Sequence, residues 1–245
     1  MAAKEQIITR FNRGAKTYHQ AAHLQAQIAK NLSHHLIGVQ ADDILEIGCG
    51  TGLFTQYLLK TFPQSNVLLT DISPSMIEEC RQQFRELSPT AFACVDGETL
   101  HELPSFDLIV SSMTLHWFNA FQSSVQRIQQ KLKKNGRFIF AMLTDYSLHE
   151  WQNMCDYFNY PIATPAFPSL IQLKNQFPEF TFRVEEIKEI YSNAHTFLKT
   201  LKFLGATAAR PEYTPLASNQ LRHLIHHFDH EISITYEVVY GEYQA

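Results

Sequence analysis

Between residues 43 and 143, short apolar runs alternate with segments that carry apolar residues at helical spacing. Residues 43–47 (DILEI), 66–72, 91–95, 106–113 and 137–143 are brief, β-rich and bounded by turn formers, which predicts buried strands. The intervening stretches predict helices over 53–62, stopped before Pro63, over 73–87, and over 121–134, ending near Asn135-Gly136. Ser73 is placed to cap the second of these, with Pro74 at its first position. This βα alternation predicts an α/β, doubly wound, Rossmann-like parallel sheet with helices on both faces. In such sheets a ligand lies outside the carboxyl ends of the strands, so residues just after each strand are the ones to read for chemistry.

The flanks are less regular. Leu24, Ile28, Leu32 and Leu36 recur every fourth residue and predict one amphipathic helix over Tyr18–Ile37. After Leu143 the pattern gives a helix over 147–158, a proline-rich loop over 160–170, a strand over 180–192, helices over 194–206 and 218–231, and a last strand over 232–243. The expected organisation is a helical cap (1–40), a ligand-binding core (41–146), a substrate or lid insertion containing one late strand (147–217), and a terminal helix and strand completing the sheet (218–245). One late strand is expected to run antiparallel.

Composition narrows the function classes. The 245 residues are 45% hydrophobic and 18% charged, an ordinary globular balance. A formal charge of -4 gives no electropositive excess for nucleic acid. The start lacks the apolar core of a secretory signal, and no apolar run is long enough to cross a membrane. Cys49, Cys80, Cys94 and Cys155 form no CxxC pair, which argues against a zinc site or disulfide framework and for a reducing cytoplasm. His223, His226, His227 and His230 share a helix face without a paired acid and read as a solvated face, so no metal is assigned.

The candidate chemistry begins after the first strand, where Gly48, Gly50 and Gly52 occupy every second position. Such a loop serves either a plain tight turn or a close backbone approach to a ligand. Acids stand near successive strand ends. Asp71 is placed to accept from a ribose diol, or to interact with a helix N-terminus. Asp96 is placed to accept from an adenine amino group, or simply to form an Asp-Gly turn. Glu46 lies inside an apolar strand, where an unpaired charge is costly, and an ammonium-bearing ligand would account for it. With three acids and no basic residue in the expected cleft, S-adenosylmethionine fits better than a pyrophosphate-bearing dinucleotide.

The segments DILEIGCGTGLFTQYLL, LLTDISPSMI, CVDGETLHELPSFDLIVSSMTLHW and LKKNGRFIFAML resemble, in order and spacing, the class I S-adenosylmethionine-dependent methyltransferases. The N-terminal ITRFNRGAKTYHQAAHLQ, with SSMTLHWF, SLHEWQ, FLKTLKFLGATAARP and ITYEVVYGEY, is similar to the malonyl-[acyl-carrier-protein] O-methyltransferase family of biotin synthesis. That resemblance implies a cytoplasmic, monomeric, S-adenosylmethionine-dependent carboxyl O-methyltransferase acting on malonyl-acyl-carrier protein or malonyl-CoA, without nucleic acid or membrane partners. It implies a cofactor set of Tyr18, Gln25, Glu46, Gly48, Cys49, Gly50, Gly52, Asp71, Ile72, Met76, Asp96, Gly97 and Ser112. Met76 is equally readable as helix core. His116, Trp117 and Lys202 are the candidates for substrate positioning, with a buried core Trp and a solvated Lys as the plainer alternatives. Arg183, Lys188, Lys199, Lys202, Arg210 and Arg222 are candidates for a local basic patch facing an acidic carrier. Rival readings are a methyltransferase of another small acid, such as trans-aconitate, or of a quinone precursor, and a methyltransferase-like assembly factor or hydroxylase.

Overall fold

The apolar runs assemble into one sheet of seven strands: β1 (Asp43–Ile47), β2 (Asn66–Asp71), β3 (Thr90–Cys94), β4 (Phe106–Ser112), β5 (Leu132–Leu143), β6 (Thr181–Tyr191) and β7 (Ile232–Gln244). Their order is β3-β2-β1-β4-β5-β7-β6 in this computed structural model, which describes residues 2–86, 90–206 and 214–245. β1 to β5 are parallel, whereas β7 runs antiparallel between β5 and β6. The two late strands therefore complete the sheet, as their alternating pattern predicts.

Side-chain alternation sorts the core onto two faces. Ile44, Leu108, Val110, Ile139 and Ala141 pack on one side with Leu24, Ile28 and Leu32 of the N-terminal region. Leu45, Ile47, Ile109, Phe138 and Phe140 pack on the other with Val125 and Ile128. Glu46 is two residues from Ile44 and so points to the first face, where it is fully buried. The same period that builds the core thus delivers a carboxylate into it.

The helices are α1 (Ala2–Gly14), α2 (Tyr18–Ala21), α3 (His23–Ser33), α4 (Thr55–Thr61), α5 (Pro74–Phe84), α6 (Phe121–Gln129), α7 (His149–Tyr157), α8 (Leu170–Gln176), α9 (Ala194–Phe203) and α10 (Ser218–His227). Ser73 caps α5 as expected, its hydroxyl accepting from the Met76 amide at 3.2 Å. Two expectations need correction, and two helices lie outside the pattern as read. The single helix over Tyr18–Ile37 is broken at Ala22, because Ala21 and Ala22 pack against Leu204 and the backbone turns there. The helix expected to reach residue 134 stops at Gln129, and β5 begins at Leu132, opposite Phe106. Lys133 is drawn into that strand by ion pairs to Asp43 and Asp107, at 2.6 and 2.9 Å. The loop expected through residue 170 leads into α8, whose start is fixed by a capping box between Ser169 and Gln172. Finally, α1 has no counterpart in the hydrophobic pattern, although it proves central to the site.

Candidate functional site

The turn from β1 to α4 shows what each glycine accomplishes. A Cβ on Gly48 would lie 2.0 Å from Thr114 Oγ1, so this position is glycine to admit the chain that follows β4. Gly50 differs: its φ is +54° and nothing lies within 4 Å of the direction a side chain would take. Its bare backbone faces a cavity at the carboxyl ends of β1, β2 and β4. Gly52 does not line that cavity; a Cβ there would meet the Phe84 ring at 2.3 Å. Gly48 and Gly50 therefore both line the cavity, Gly50 with open space around its bare main chain, while Gly52 allows the turn to pack.

The acids converge as their places at strand ends dictate. Asp71 Oδ2 accepts from the Gly50 amide at 2.9 Å and Oδ1 from the Ser73 amide at 2.8 Å, bracing the loop and leaving each oxygen a further lone pair toward the cavity. Burial pushes its carboxyl up to about 6, partly offset by these amides. Glu46 Oε2 accepts from Thr55 at 2.8 Å, but its Oε1 is enclosed without a partner. Burial raises this carboxyl to about 8, against the opposing Thr55 hydrogen bond. Gln25 Oε1 and Thr51 Oγ1 are likewise enclosed and unpartnered, and all three side chains line the same cavity. Two unpartnered oxygens, one on a carboxyl group that a neighbouring cation would ionise, suit a ligand that brings an ammonium or comparable donor.

The expectation of a cleft without basic residues is overturned by Lys4, which α1 lays across the cavity beside Asp96. The Lys4 ammonium donates to both Asp96 and Glu98. Burial alone would lower its pKa, yet these two carboxylates raise it. The cation is thus committed to acids and leaves little for a pyrophosphate. Asn12 Oδ1 accepts from the Ser73 hydroxyl at 2.7 Å, and the Phe11 ring meets Trp117 edge-on at 5.4 Å. Together these contacts strap α1 over the strand ends.

A second cavity adjoins the first. Phe11, Tyr18, Gln25, Met113 and Trp117 line both, so Trp117 stands at their junction. Trp117 and His116 sit in a 3-10 turn, Leu115–Trp117, rather than at the end of β4 itself, which stops at Ser112. The His116 Nδ1 is enclosed without a partner, and burial depresses the imidazole to about 3, so the ring is neutral. Apolar walls come from Leu148, Trp151, Phe167 and Leu201. Among the described residues lining this second cavity, Arg10 is the one Lys or Arg and Glu189 the one acid. Tyr191 donates its hydroxyl to Glu189 and lies 3.1 Å from the Tyr236 hydroxyl.

Of the cofactor residues read from the sequence, Tyr18, Gln25, Glu46, Gly48, Cys49, Gly50, Asp71, Ile72, Met76, Asp96, Gly97 and Ser112 all line the first cavity. Lys202 lines neither cavity; it faces a separate groove with Arg10 and Arg13. Arg183, Lys188, Lys199 and Arg222 do not line that groove, and Arg210 lies outside the described residues. Lys4, Arg10, Phe11, Tyr191 and Tyr236 are site residues that pattern reading missed. Ile7 and Phe11, one helical turn apart, were the available signal for α1.

A family described as a methyltransferase domain matches residues 45–138. The malonyl-[acyl-carrier protein] O-methyltransferase of Magnetococcus marinus is 31% identical, over 94% of this chain and 88% of that protein. The protein of the same name from Anoxybacillus flavithermus is 28% identical, over 84% of this chain and 82% of its own. Among solved structures, the YcgJ protein of Bacillus subtilis superimposes with a TM-score of 0.62 at 15% identity, covering 89% of this chain and 99% of that one. The N-methyltransferase NodS of Bradyrhizobium japonicum, solved with S-adenosyl-L-homocysteine, gives 0.52 at 14% identity, covering 91% and 87%.

Proposed function

Because the chain belongs to the malonyl-[acyl-carrier protein] O-methyltransferase family, we propose that it methylates the free carboxylate of a malonyl thioester on acyl-carrier protein, with S-adenosylmethionine as methyl donor. The observation that carries this reading is the pair of unpartnered acceptors, Glu46 Oε1 and Gln25 Oε1, in a cavity joined at Trp117 to a second one. Glu46 and Gln25 would hold the ammonium of the donor's methionine end, Asp71 its ribose diol, and Gly50 its close approach to main chain. Met76 and Ile72 supply apolar surface for the adenine, with Asp96 at its edge. The bound donor supplies an electrophilic methyl group on a sulfonium.

The acceptor cavity suits a carboxylate nucleophile. Such a group is ionised at neutral pH and needs no general base, so positioning and exclusion of water carry the catalysis. Neutral donors serve this better than a tight ion pair, which would hold electron density away from the methyl group. Trp117 stands where the two cavities meet, and the neutral His116 imidazole lines the second cavity beside it. Phe11, Leu148, Trp151 and Phe167 keep the surroundings apolar. No helix among the described residues is long and apolar enough to cross a membrane. Four free cysteines support a reducing cytoplasm as the working compartment.

The test is methyl transfer from labelled donor to malonyl-carrier protein, malonyl-CoA and trans-aconitate in parallel. Label is expected on the malonyl thioesters and is expected to be released by mild alkali, as from a methyl ester. Label on the free small acid alone would overturn the substrate assignment.

A further inference from the structure

The acceptor cavity shares Gln6 and Arg10 with a surface groove between the end of α1 and the end of α9. We infer that this groove binds the phosphodiester of the carrier's phosphopantetheine arm, through Arg13 and Lys202; this rests on the proposed acceptor. Among the described residues lining the groove, Arg13 and Lys202 stand beside Arg10, with Glu5 as the one acid. Two unpaired cations side by side stand out on a chain whose net charge is -4. Arg13 and Lys202 are exposed, and neither side chain makes a hydrogen bond or ion pair among the described residues, unlike the lysines paired at Lys4 and Lys133.

The groove has a fixed floor. A Cβ on Gly14 would lie 2.9 Å from the Gly205 nitrogen, and one on Gly205 would lie 2.7 Å from the Arg10 carbonyl oxygen. The two chain segments therefore cross backbone to backbone, which only glycine permits at this spacing. Thr17 closes the crossing, its hydroxyl 3.1 Å from both the Gly14 and Phe203 carbonyl oxygens. Arg13 and Lys202 are thereby held on opposite walls of one junction. A guanidinium and an ammonium on opposing walls match a phosphodiester, which carries one charge and several acceptor oxygens. An arm anchored there would pass Arg10 and Gln6 and deliver its thioester toward Trp117.

The experiment compares malonyl-pantetheine with malonyl-phosphopantetheine as acceptors, in wild type and in Arg13→Gln/Lys202→Gln. Wild type is expected to favour the phosphorylated acceptor in kcat/KM by about ten- to a hundredfold, the range for hydrogen bonds to charged groups. The paired substitution is expected to erase most of that ratio, and added salt to shrink it in wild type. Arg13→Lys with Lys202→Arg should keep it. Should the pair fold poorly, either single substitution reads the same ratio. An equal ratio in wild type and variant overturns the groove assignment while leaving the methylation reading intact. Failure of wild type to methylate either thioester overturns both.

Discussion

Lys4 and Asp96, separated by 92 positions, form an ion pair at the rim of the cofactor cavity, and Glu98 accepts from the same ammonium. The contact joins α1 to the segment after β3, so it closes the cavity from the side that the core strands leave open. Lys4→Met should loosen α1 and weaken the binding of S-adenosylmethionine. Because the pair is only partly buried, the expected loss is about 1 kcal/mol, or about fivefold in affinity. A freed Asp96 would attract the cationic donor, but solvent screening makes that opposing effect the smaller one. Calorimetry reads the affinity, and hydrogen exchange should show faster opening over residues 2–14. Unchanged exchange in that helix would sink the strap interpretation.

Glu46 yields a prediction with a definite sign. Its carboxyl is raised from 4.5 to about 8, so between those values the folded chain keeps a proton that the unfolded chain has lost. Stability contributed by this group is therefore full below about 4.5 and declines as pH rises toward 8. Asp71, at about 6, adds the same sign at lower pH. The ammonium of the donor needs the ionised carboxylate, so its affinity should rise between pH 6.5 and 8.5, with proton release on binding at pH 7. Calorimetry in buffers of different ionisation enthalpy measures that proton. Glu46→Gln should be more stable than wild type at pH 8 without ligand, by about 1–3 kcal/mol, and should bind donor weakly with little pH dependence. A persistent pH slope in the variant would place the titration elsewhere.

Asp71→Asn separates bracing from ligand contact. An amide can accept from one of the Gly50 and Ser73 N–H groups but presents its own N–H₂ to the other. The loop should lose about 1–3 kcal/mol of stability, and donor affinity should fall by more than tenfold. Thermal melting with and without donor distinguishes the two: a lowered melting temperature with undiminished ligand stabilisation would remove Asp71 from the ribose.

The sheet was legible because its central strands are buried apolar runs and its helices are amphipathic, so period alone separates them. The Glu46, Asp71 and Asp96 constellation was legible for a related reason: a carboxylate at a strand end stands out against apolar neighbours. What escaped was set by tertiary contacts. Lys133 reads as helix in the sequence, yet Asp43 and Asp107 hold it in β5. Helix α1 carries its apolar residues too sparsely for a clear period, since Ile7 and Phe11 face a cavity rather than a packed core. Lys4 and Arg10 become site residues only because that helix docks. By contrast, the capping box at Ser169 and Gln172 was written in the sequence and overlooked beside the prolines.

His116 offers the sharpest check on the acceptor site. Its imidazole is held neutral, depressed from 6.5 to about 3 by burial, with Nδ1 unpartnered at the wall shared with Trp117. With both substrates saturating, kcat should therefore show no inflection near pH 6.5, and one appearing there would mean that the ring gains a proton during turnover. His116→Leu should raise KM for the malonyl acceptor about tenfold, the worth of one hydrogen bond to a charged group, and leave donor affinity in place. His116→Gln, which restores a neutral donor, should recover most of that loss. The stability profile adds an independent readout. The unfolded chain takes up a proton on this group as pH falls through 6.5 while the folded chain does not, so His116 costs stability progressively from there toward pH 3. His116→Leu should flatten that part of the acid limb; an unaltered limb would show that the ring takes up its proton as readily in the folded protein as in the unfolded one.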